Sequence, residues 1–355
     1  MYQYRAFVKD CLELNGRTKS NVICLSFDIK RDLLEKSVST FNLERIDTNI
    51  DVGDIFGLYD DFGTIYFTGV INEIDTTANQ ITCTSNISYF SYAWLYDALR
   101  STSGSTEALV KKNFENTFIN SNDYLMRRKY GDISIELKTD SLAYKLPLED
   151  TNYVIDFEDF LYKMYKNFGI ICDLSVPFTE GTPTLTIDAS TQNRNPIKVG
   201  NNFNAIMNFN VETDTYENNK LVIYSEDGSQ LRGTYFGTTG GITQDDESPL
   251  RLKKINNVIQ FTDEEINLVL AQNLRNQMYN HKISFDLILD NSFYDFFTTF
   301  KLGCPVEIWY NGIYFNSLFT GYEIIKEENG NVSSVRITCG KVRNSLTSKI
   351  LNYVR

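Results

Sequence analysis

Residues 53–85 read GDIFGLYDDFGTIYFTGVINEIDTTANQITCTS, and residues 303–340 read GCPVEIWYNGIYFNSLFTGYEIIKEENGNVSSVRITCG. Set side by side, Gly53 faces Gly303, Phe67-Thr68-Gly69 matches Phe319-Thr320-Gly321, and Ile81-Thr82-Cys83 matches Ile337-Thr338-Cys339. The intervals from the first glycine to the FTG glycine are 16 and 18, and onward to the cysteine 14 and 18. Upstream, Ser26-Phe27-Asp28-Ile29 is similar to Ser284-Phe285-Asp286-Leu287, with 27 and 19 residues to the next matched glycine. Short matches in one order, with spacing differences where loops belong, point to an internal duplication.

Each copy has the period of antiparallel β structure. In Ile65-Tyr66-Phe67-Thr68-Gly69-Val70-Ile71 the apolar residues fall on alternate positions, the pattern of a strand buried on one face. Gly69 and Gly321 interrupt these strands, as a bulge or bend would require. A long bent strand lets a sheet curl into a small barrel. Turn signals follow at Thr76-Thr77-Ala78-Asn79, Glu328-Asn329-Gly330-Asn331 and Tyr310-Asn311-Gly312-Ile313, the last an Asn-Gly hairpin.

Working outward, the material between the copies is mixed. Residues 101–106 (STSGST) read as a polar linker, followed by a helix from about Glu107 to Ile119 and a strand carrying Ile133, Ile135 and Leu137. A second helix runs from Asp156 to Gly169, with Phe157, Phe160, Leu161, Met164, Tyr165 and Phe168 on one side as packed core. Leu221–Gly228 reads as a strand entering a turn, Gly233–Gly241 as a mobile loop, and Arg127-Arg128-Lys129 as a solvated turn. Thr262-Asp263-Glu264-Glu265 is a capping box opening a helix to about Tyr279. The expected fold class is mainly β with an α+β insertion: two related β-barrel modules at 1–98 and 201–355 flank a mixed domain at 99–200. The second module carries a loop and helical insertion at about 237–280.

Composition removes whole classes of function. The chain has 355 residues and a net charge of −12, which opposes binding nucleic acid through phosphates. No apolar run approaches the ~18–20 residues that span a bilayer, so membrane insertion is not expected. The N-terminus MYQYRAFVKD places charges where a signal peptide is apolar. Cys11, Cys24, Cys83, Cys172, Cys304 and Cys339 form no CxxC pair and read as small buried hydrophobes. His281 is the single histidine, and GxSxG, HExxH, GxxxxGK[ST] and GxGxxG are absent. Carboxylate pairs such as Asp60-Asp61, Glu158-Asp159 and Glu327-Glu328 select no glycosidase dyad. No catalytic, metal-binding or cofactor-binding residues are assigned, and no cofactor is expected. The assigned positions are those of the repeat: Gly53, Phe67, Thr68, Gly69, Cys83, Gly303, Phe319, Thr320, Gly321 and Cys339.

The segments Ser39–Leu43, Ile50–Asp54 and Phe67–Ile71, repeated in kind at the C-terminal end around a mixed insertion, resemble the tail-hub proteins of bacteriophages: the baseplate hub of contractile tails and the tail-associated tip protein of long non-contractile ones. The resemblance implies two tube-like barrels per chain and a homotrimer whose six barrels match a hexameric tail tube to a three-fold tip. It implies a virion protein at the tail tip or baseplate, assembled in the host cytoplasm. The implied partners are the tail tube or a distal tail protein, the tape-measure protein and a separate spike or fibre, with DNA only in transit. The chain stops at Arg355, where larger relatives carry fibre-like or peptidoglycan-cleaving extensions, so no enzymatic role is expected.

The acidic balance would keep a conduit from trapping DNA, and equally keeps a large assembly soluble. Tyr and Phe richness suits both subunit interfaces and a full core. Two alternatives stand beside the hub. One is a receptor- or carbohydrate-binding tail module with aromatics exposed on one face. The other is a cell-wall hydrolase needing two convergent carboxylates in a cleft.

Overall fold

The stretch read as an alternating strand at 65–71 is a strand, but its burial does not alternate. Ile65 is exposed and Phe67–Ile71 are all buried, Val70 packing against the core of the inserted domain on the second face. The computed structural model describes residues 3–34, 36–91, 94–96, 105–139, 154–189, 195–213, 220–225, 228–238, 241–244, 255–256, 270, 279, 281–290, 293–328 and 330–340. The first six strands are β1 (Tyr4–Lys9), β2 (Ser20–Asp32), β3 (Val38–Leu43), β4 (Ile55–Asp60), β5 (Ile65–Asp75) and β6 (Gln80–Ser85). They pair in the order β1-β4-β5-β6-β3-β2, and β2 returns to β1, closing a six-stranded barrel with every neighbour antiparallel. Phe41 lies at its centre, with ring centroids 4.4 Å from Phe56 and 5.0 Å from Phe67. Burying a ring of this size contributes roughly 2–3 kcal/mol. The β5–β6 turn is the expected one: Asp75 Oδ1 accepts from the amides of Thr77 and Ala78, and Asn79 takes φ +50°.

The inserted domain contains β7 (Trp94–Tyr96), α1 (Thr106–Phe114), α2 (Tyr124–Tyr130), β8 (Ser134–Leu137), β9 (Val154–Asp156), α3 (Phe157–Phe168), β10 (Ile171–Ser175) and β11 (Thr184–Asp188). Ser105 caps α1 through Ala108 N, and a single π turn carries the helix on to Ile119, the expected limit. The α3 stripe does form core: Phe157, Phe160, Met164 and Tyr165 are buried. Gly169 ends α3 at φ +70°, donating to Tyr165 O, with a further amide-to-carbonyl bond from Ile170 to Met164 O. The basic run at Arg127–Lys129 is not a turn but the last turn of α2, capped by Asp123, and Lys129 Nζ lies 4.5 Å from the Tyr89 ring. Cations suit a helix C-terminus, which sequence reading passed over. This domain shares a core with the first barrel through Ile55, Val70, Tyr89 and Phe90.

The chain returns through β12 (Ile197–Gly200) and β13 (Ile206–Thr213). A small sheet follows, formed by β14 (Lys220–Tyr224), β15 (Leu231–Thr238), β16 (Gly241–Thr243) and β17 (Ile255–Asn256). Of the glycine-rich stretch expected to be a loop, Gly233–Thr238 and Gly241 instead lie on the paired strands β15 and β16, and residues 239–240 lie outside the described residues. Thr234, Tyr235 and Phe236 are strong strand formers, and a Cβ on Gly233 would meet the Tyr235 ring at 2.8 Å. The helix expected at Thr262–Tyr279 lies outside the described residues, apart from Leu270 and Tyr279 themselves.

The last strands are β18 (His281–Ile288), β19 (Pro305–Tyr310), β20 (Ile313–Lys326) and β21 (Ser334–Gly340). Asn311 and Gly312 form the expected hairpin with φ +49° and +81°. The order β19-β20-β21-β18-β13 repeats β4-β5-β6-β3-β2 of the first barrel. Among the described strands no pairing closes this second set as β1 closes the first: β12 runs parallel to β19 alone and leads straight into β13 through Asn201–Ala205. One bent segment thus pairs with β19 on one side and β18 on the other, across the gap that β1 fills in the first barrel. β12, which the expected boundary at 201 leaves in the insert, pairs within this second module. A single apolar core runs through both modules, from Tyr4 to Cys339. Among the described residues no helix is long and apolar enough to cross a membrane.

Candidate assembly surface

Strand register shows which repeat residues are equivalent. Phe41 pairs with Ile81, and Phe285 with Ile337, so Ile81-Thr82-Cys83 and Ile337-Thr338-Cys339 occupy the same place. Gly53 N donates to Ile71 O and Gly303 N to Phe319 O, with φ +98° and +83°, so these glycines also correspond. The same bonds make Ile71, not Phe67, the counterpart of Phe319. The two FTG tripeptides are therefore four residues out of step. Likewise Ser284–Leu287 on β18 matches Thr40–Leu43 on β3, while Ser26–Ile29 lies on β2.

The displaced glycines have separate tasks. A Cβ on Gly69 would sit 2.1 Å from Thr84 O on β6, so it permits close approach inside the first barrel. A Cβ on Gly321 would sit 2.3 Å from Asp32 Oδ1 and 3.0 Å from Arg31 O on β2, where the two modules meet.

That meeting is a β-sheet seam. β2 and β20 pair antiparallel from Phe27↔Lys326 to Asp32↔Gly321, and Leu33 N continues it by donating to Thr320 O. Inward-facing Ile29 and Ile324 are fully buried. Lys326, also buried, donates from Nζ to Leu25 O, Glu327 O and Glu328 O. Arg31 Nη2 reaches Asn86 Oδ1 at 3.3 Å and Asp173 Oδ1 at 3.4 Å, tying seam to insert beside a cavity of about 450 Å³.

The seam makes one continuous sheet, β5-β6-β3-β2-β20-β21-β18-β13, with the core on one side. Its other face is polar because the side chains alternate. Asn42 Nδ2 donates to Ser26 Oγ at 2.8 Å and Gln80 Nε2 to Asn42 Oδ1 at 3.0 Å, a ladder across three strands. Across the seam, register aligns Lys30, Glu323, Arg336 and Asp286 in a row of alternating charge. Lys30 Nζ lies 3.0 Å from Glu323 Oε1 and 2.9 Å from Asp28 Oδ2. Half-exposed Ile325 and Val38 interrupt the polarity. Sequence reading missed this row because it depends on which strands lie side by side, which no local pattern encodes.

Other chemistry-bearing groups are held in the scaffold. His281 is buried, its Nε2 2.9 Å from Ser317 Oγ and its Nδ1 without a hydrogen bond. Burial pushes its pKa down to about 4, so the ring is neutral at neutral pH. Asp10, Cys11 and Asp54 cluster, but Lys19 Nζ occupies the centre, 2.9 Å from Asp54, 3.3 Å from Asp10 and 3.5 Å from Asp51. Burial opposes the ammonium, yet Asp54 and Asp10 more than offset that and raise its pKa. Burial likewise pushes the Cys24 thiol up to about 12.

No family model matches the sequence, and no curated protein matches it. Solved structures do resemble the fold over nearly its whole length. A 43 kDa tail protein of prophage MuSo2 from Shewanella oneidensis aligns with TM-score 0.59 at 11% identity, over 96% of this chain and 97% of that one. A tail protein from Neisseria meningitidis MC58 gives 0.58 at 12% over 96% of both chains. Prophage tail protein gp18 from Listeria monocytogenes gives 0.56 at 12%, over 99% and 98%. At such identities the likeness is one of architecture: the chain has the fold of these phage and prophage tail proteins.

Proposed function

We propose that this protein is a structural hub of a phage tail tip or baseplate. Three copies form a ring with pseudo-six-fold symmetry that joins the tail tube to a central spike or fibre and lets DNA pass. The observation that carries this reading is the shared sheet: two related modules in one chain, hydrogen-bonded edge to edge through β2 and β20, present one polar face. Such a repeat supplies two similar positions per chain to a ring, and three chains then meet a six-fold neighbour. The polar face mixes charges of both signs, with Asp28, Glu73, Asp286 and Glu323 beside Lys30, Lys282 and Arg336. It holds no run of Lys and Arg to grip phosphates, which suits a channel lining that DNA slides past.

In this reading the protein resides in the virion, and its neighbours are tube or distal tail protein, tape-measure protein, and spike or fibre. The domain division that accompanies it runs from an N-terminal barrel through the insert to the C-terminal barrel. The role is architectural and involves no catalysis. Light-scattering mass combined with negative-stain images of the purified protein tests it. A mass three times the 40.9 kDa of one chain, with six-lobed annuli, is expected. A single-chain mass at every concentration, or particles without three-fold symmetry, overturns it.

A further inference from the structure

The cavity of about 450 Å³ beside Arg31 draws its walls from all three parts of the chain. β2 and the 3-10 turn Asn86–Phe90 come from the first barrel, α3 and β10 from the insert, and the short helix Phe296–Thr299 from the second module. Much of the wall is apolar, with Phe157 and Leu161 of α3 and with Phe297 and Phe300. A space of this size falls within the range of roughly 300–1,000 Å³ that holds small organic molecules.

The polar groups in the wall have unmet capacity. Ser91 N donates to Ser88 O at 2.9 Å, so the two serines sit together at the end of the 3-10 turn. Both hydroxyl oxygens are buried and have no hydrogen bond, and Ser91 is only 7% exposed. A buried hydroxyl left unpaired is costly, and a partner in the cavity relieves that cost. Arg31 reaches the first residue of the same turn, at Asn86 Oδ1, through a long 3.3 Å contact, and its contact with Asp173 is longer still at 3.4 Å. A guanidinium has five N–H donors and no acceptor, so these contacts leave donors for a further group. The charged side chains lining the cavity are Arg31, Lys36, Lys138 and Lys301 against Asp32, Asp173 and Asp188, an excess of one cation.

We propose that this cavity binds a small amphiphilic monoanion: a single-chain carboxylate whose head accepts from Ser88, Ser91 and Arg31 and whose tail lies against Phe157, Leu161, Phe297 and Phe300. Water would satisfy the two hydroxyls but gains nothing from the aromatic walls, whereas an acyl tail removes them from solvent. One negative charge balances the excess cation. A free acid suits a space walled by three parts of one chain, which a lipid still anchored in a bilayer would have to leave the membrane to enter. Once bound, it ties the insert to both modules and stabilises the folded chain by mass action. This site does not rest on the hub reading.

Calorimetric titration of the full chain with sodium decanoate, kept well below its micelle concentration, tests the site. One decanoate per chain should bind and raise the melting temperature. Methyl decanoate has the same tail without the charge and should bind about tenfold more weakly or worse, since hydrogen bonds to a charged group are lost. Ser91→Ala removes a hydroxyl that has no partner in the ligand-free protein. Its melting temperature without decanoate should therefore match the parent, while its affinity for decanoate falls about tenfold. Phosphatidylglycerol vesicles should leave the melting temperature unchanged. No saturable heat with decanoate, or equal affinity for the methyl ester, overturns the proposal. So does undiminished binding by Ser91→Ala, or a response to the vesicles in place of the free acid.

Discussion

Replacing Gly69 and Gly321 by alanine separates the register from the sequence match. In the tripeptide alignment the two glycines are equivalent and should respond alike. In the structure a Cβ at 69 lies 2.1 Å from Thr84 O and 2.5 Å from the Phe67 ring. Since real contacts begin above 3 Å, β5 and β6 must part by about 1 Å, and the overpacking costs about 3 kcal/mol. At 321 the closest atom is Asp32 Oδ1 at 2.3 Å, a side chain able to swing away from its Ser37 partner. The nearest backbone atom, Arg31 O, is at 3.0 Å and needs to yield only a few tenths of an ångström. Alanine also gains about 0.5–1 kcal/mol by restricting the unfolded chain, so the net loss at 321 is about 1 kcal/mol or less. Hydrogen exchange read by mass spectrometry, with urea unfolding alongside, distinguishes the sites. Gly69→Ala should speed exchange in Gln80–Ser85, and Gly321→Ala in Phe27–Asp32. Equal losses, each confined to its own barrel, would refute the register.

Two further perturbations follow from buried groups. His281 is neutral when folded, with its pKa near 4 against 6.5 unfolded. The unfolded chain therefore binds more protons between those values, and stability falls as pH drops through that window, by about 3 kcal/mol in all. In urea titrations from pH 7 to 4, His281→Gln should lose that much less stability than the parent; identical pH profiles would contradict the assignment. Lys9 is buried and donates from Nζ to Leu14 O at 3.0 Å and Thr179 O at 2.7 Å, pinning the insert to the first barrel. Lys9→Met should cost about 1–3 kcal/mol and raise protease sensitivity at 177–181 while β1 and β4 stay protected. Unchanged cleavage there would show that the aromatic contact of Tyr59 with Phe178, centroids 4.7 Å apart, suffices alone.

The strand at Ile65–Ile71, though not its one-sided burial, the Asn311-Gly312 turn and the aromatic stripe of α3 were legible because each depends on neighbours in sequence. The likeness in strand order of the two modules had a trace in sequence too, through Gly53 with Gly303 and Cys83 with Cys339. Its alignment was not legible. Phe-Thr-Gly is a short string, and an antiparallel strand can carry it four residues along without turning a side chain to the other face. Only the bonds from Gly53 and Gly303 across to Ile71 and Phe319 fix the step. The charge row from Lys30 to Asp286 was hidden for a related reason. It assembles residues from four strands, two of them drawn from opposite ends of the chain. The bent β12–β13 segment escaped notice because parallel pairing with β19 leaves no mark on its own alternation.

A cryo-electron microscopy reconstruction of the assembled protein asks most directly what the shared sheet is for. The account predicts a three-fold particle with an axial channel, its wall formed by the polar face, with Lys30, Glu323 and Arg336 pointing into the opening. A particle in which that face is turned outward, or in which no channel runs along the axis, would contradict it.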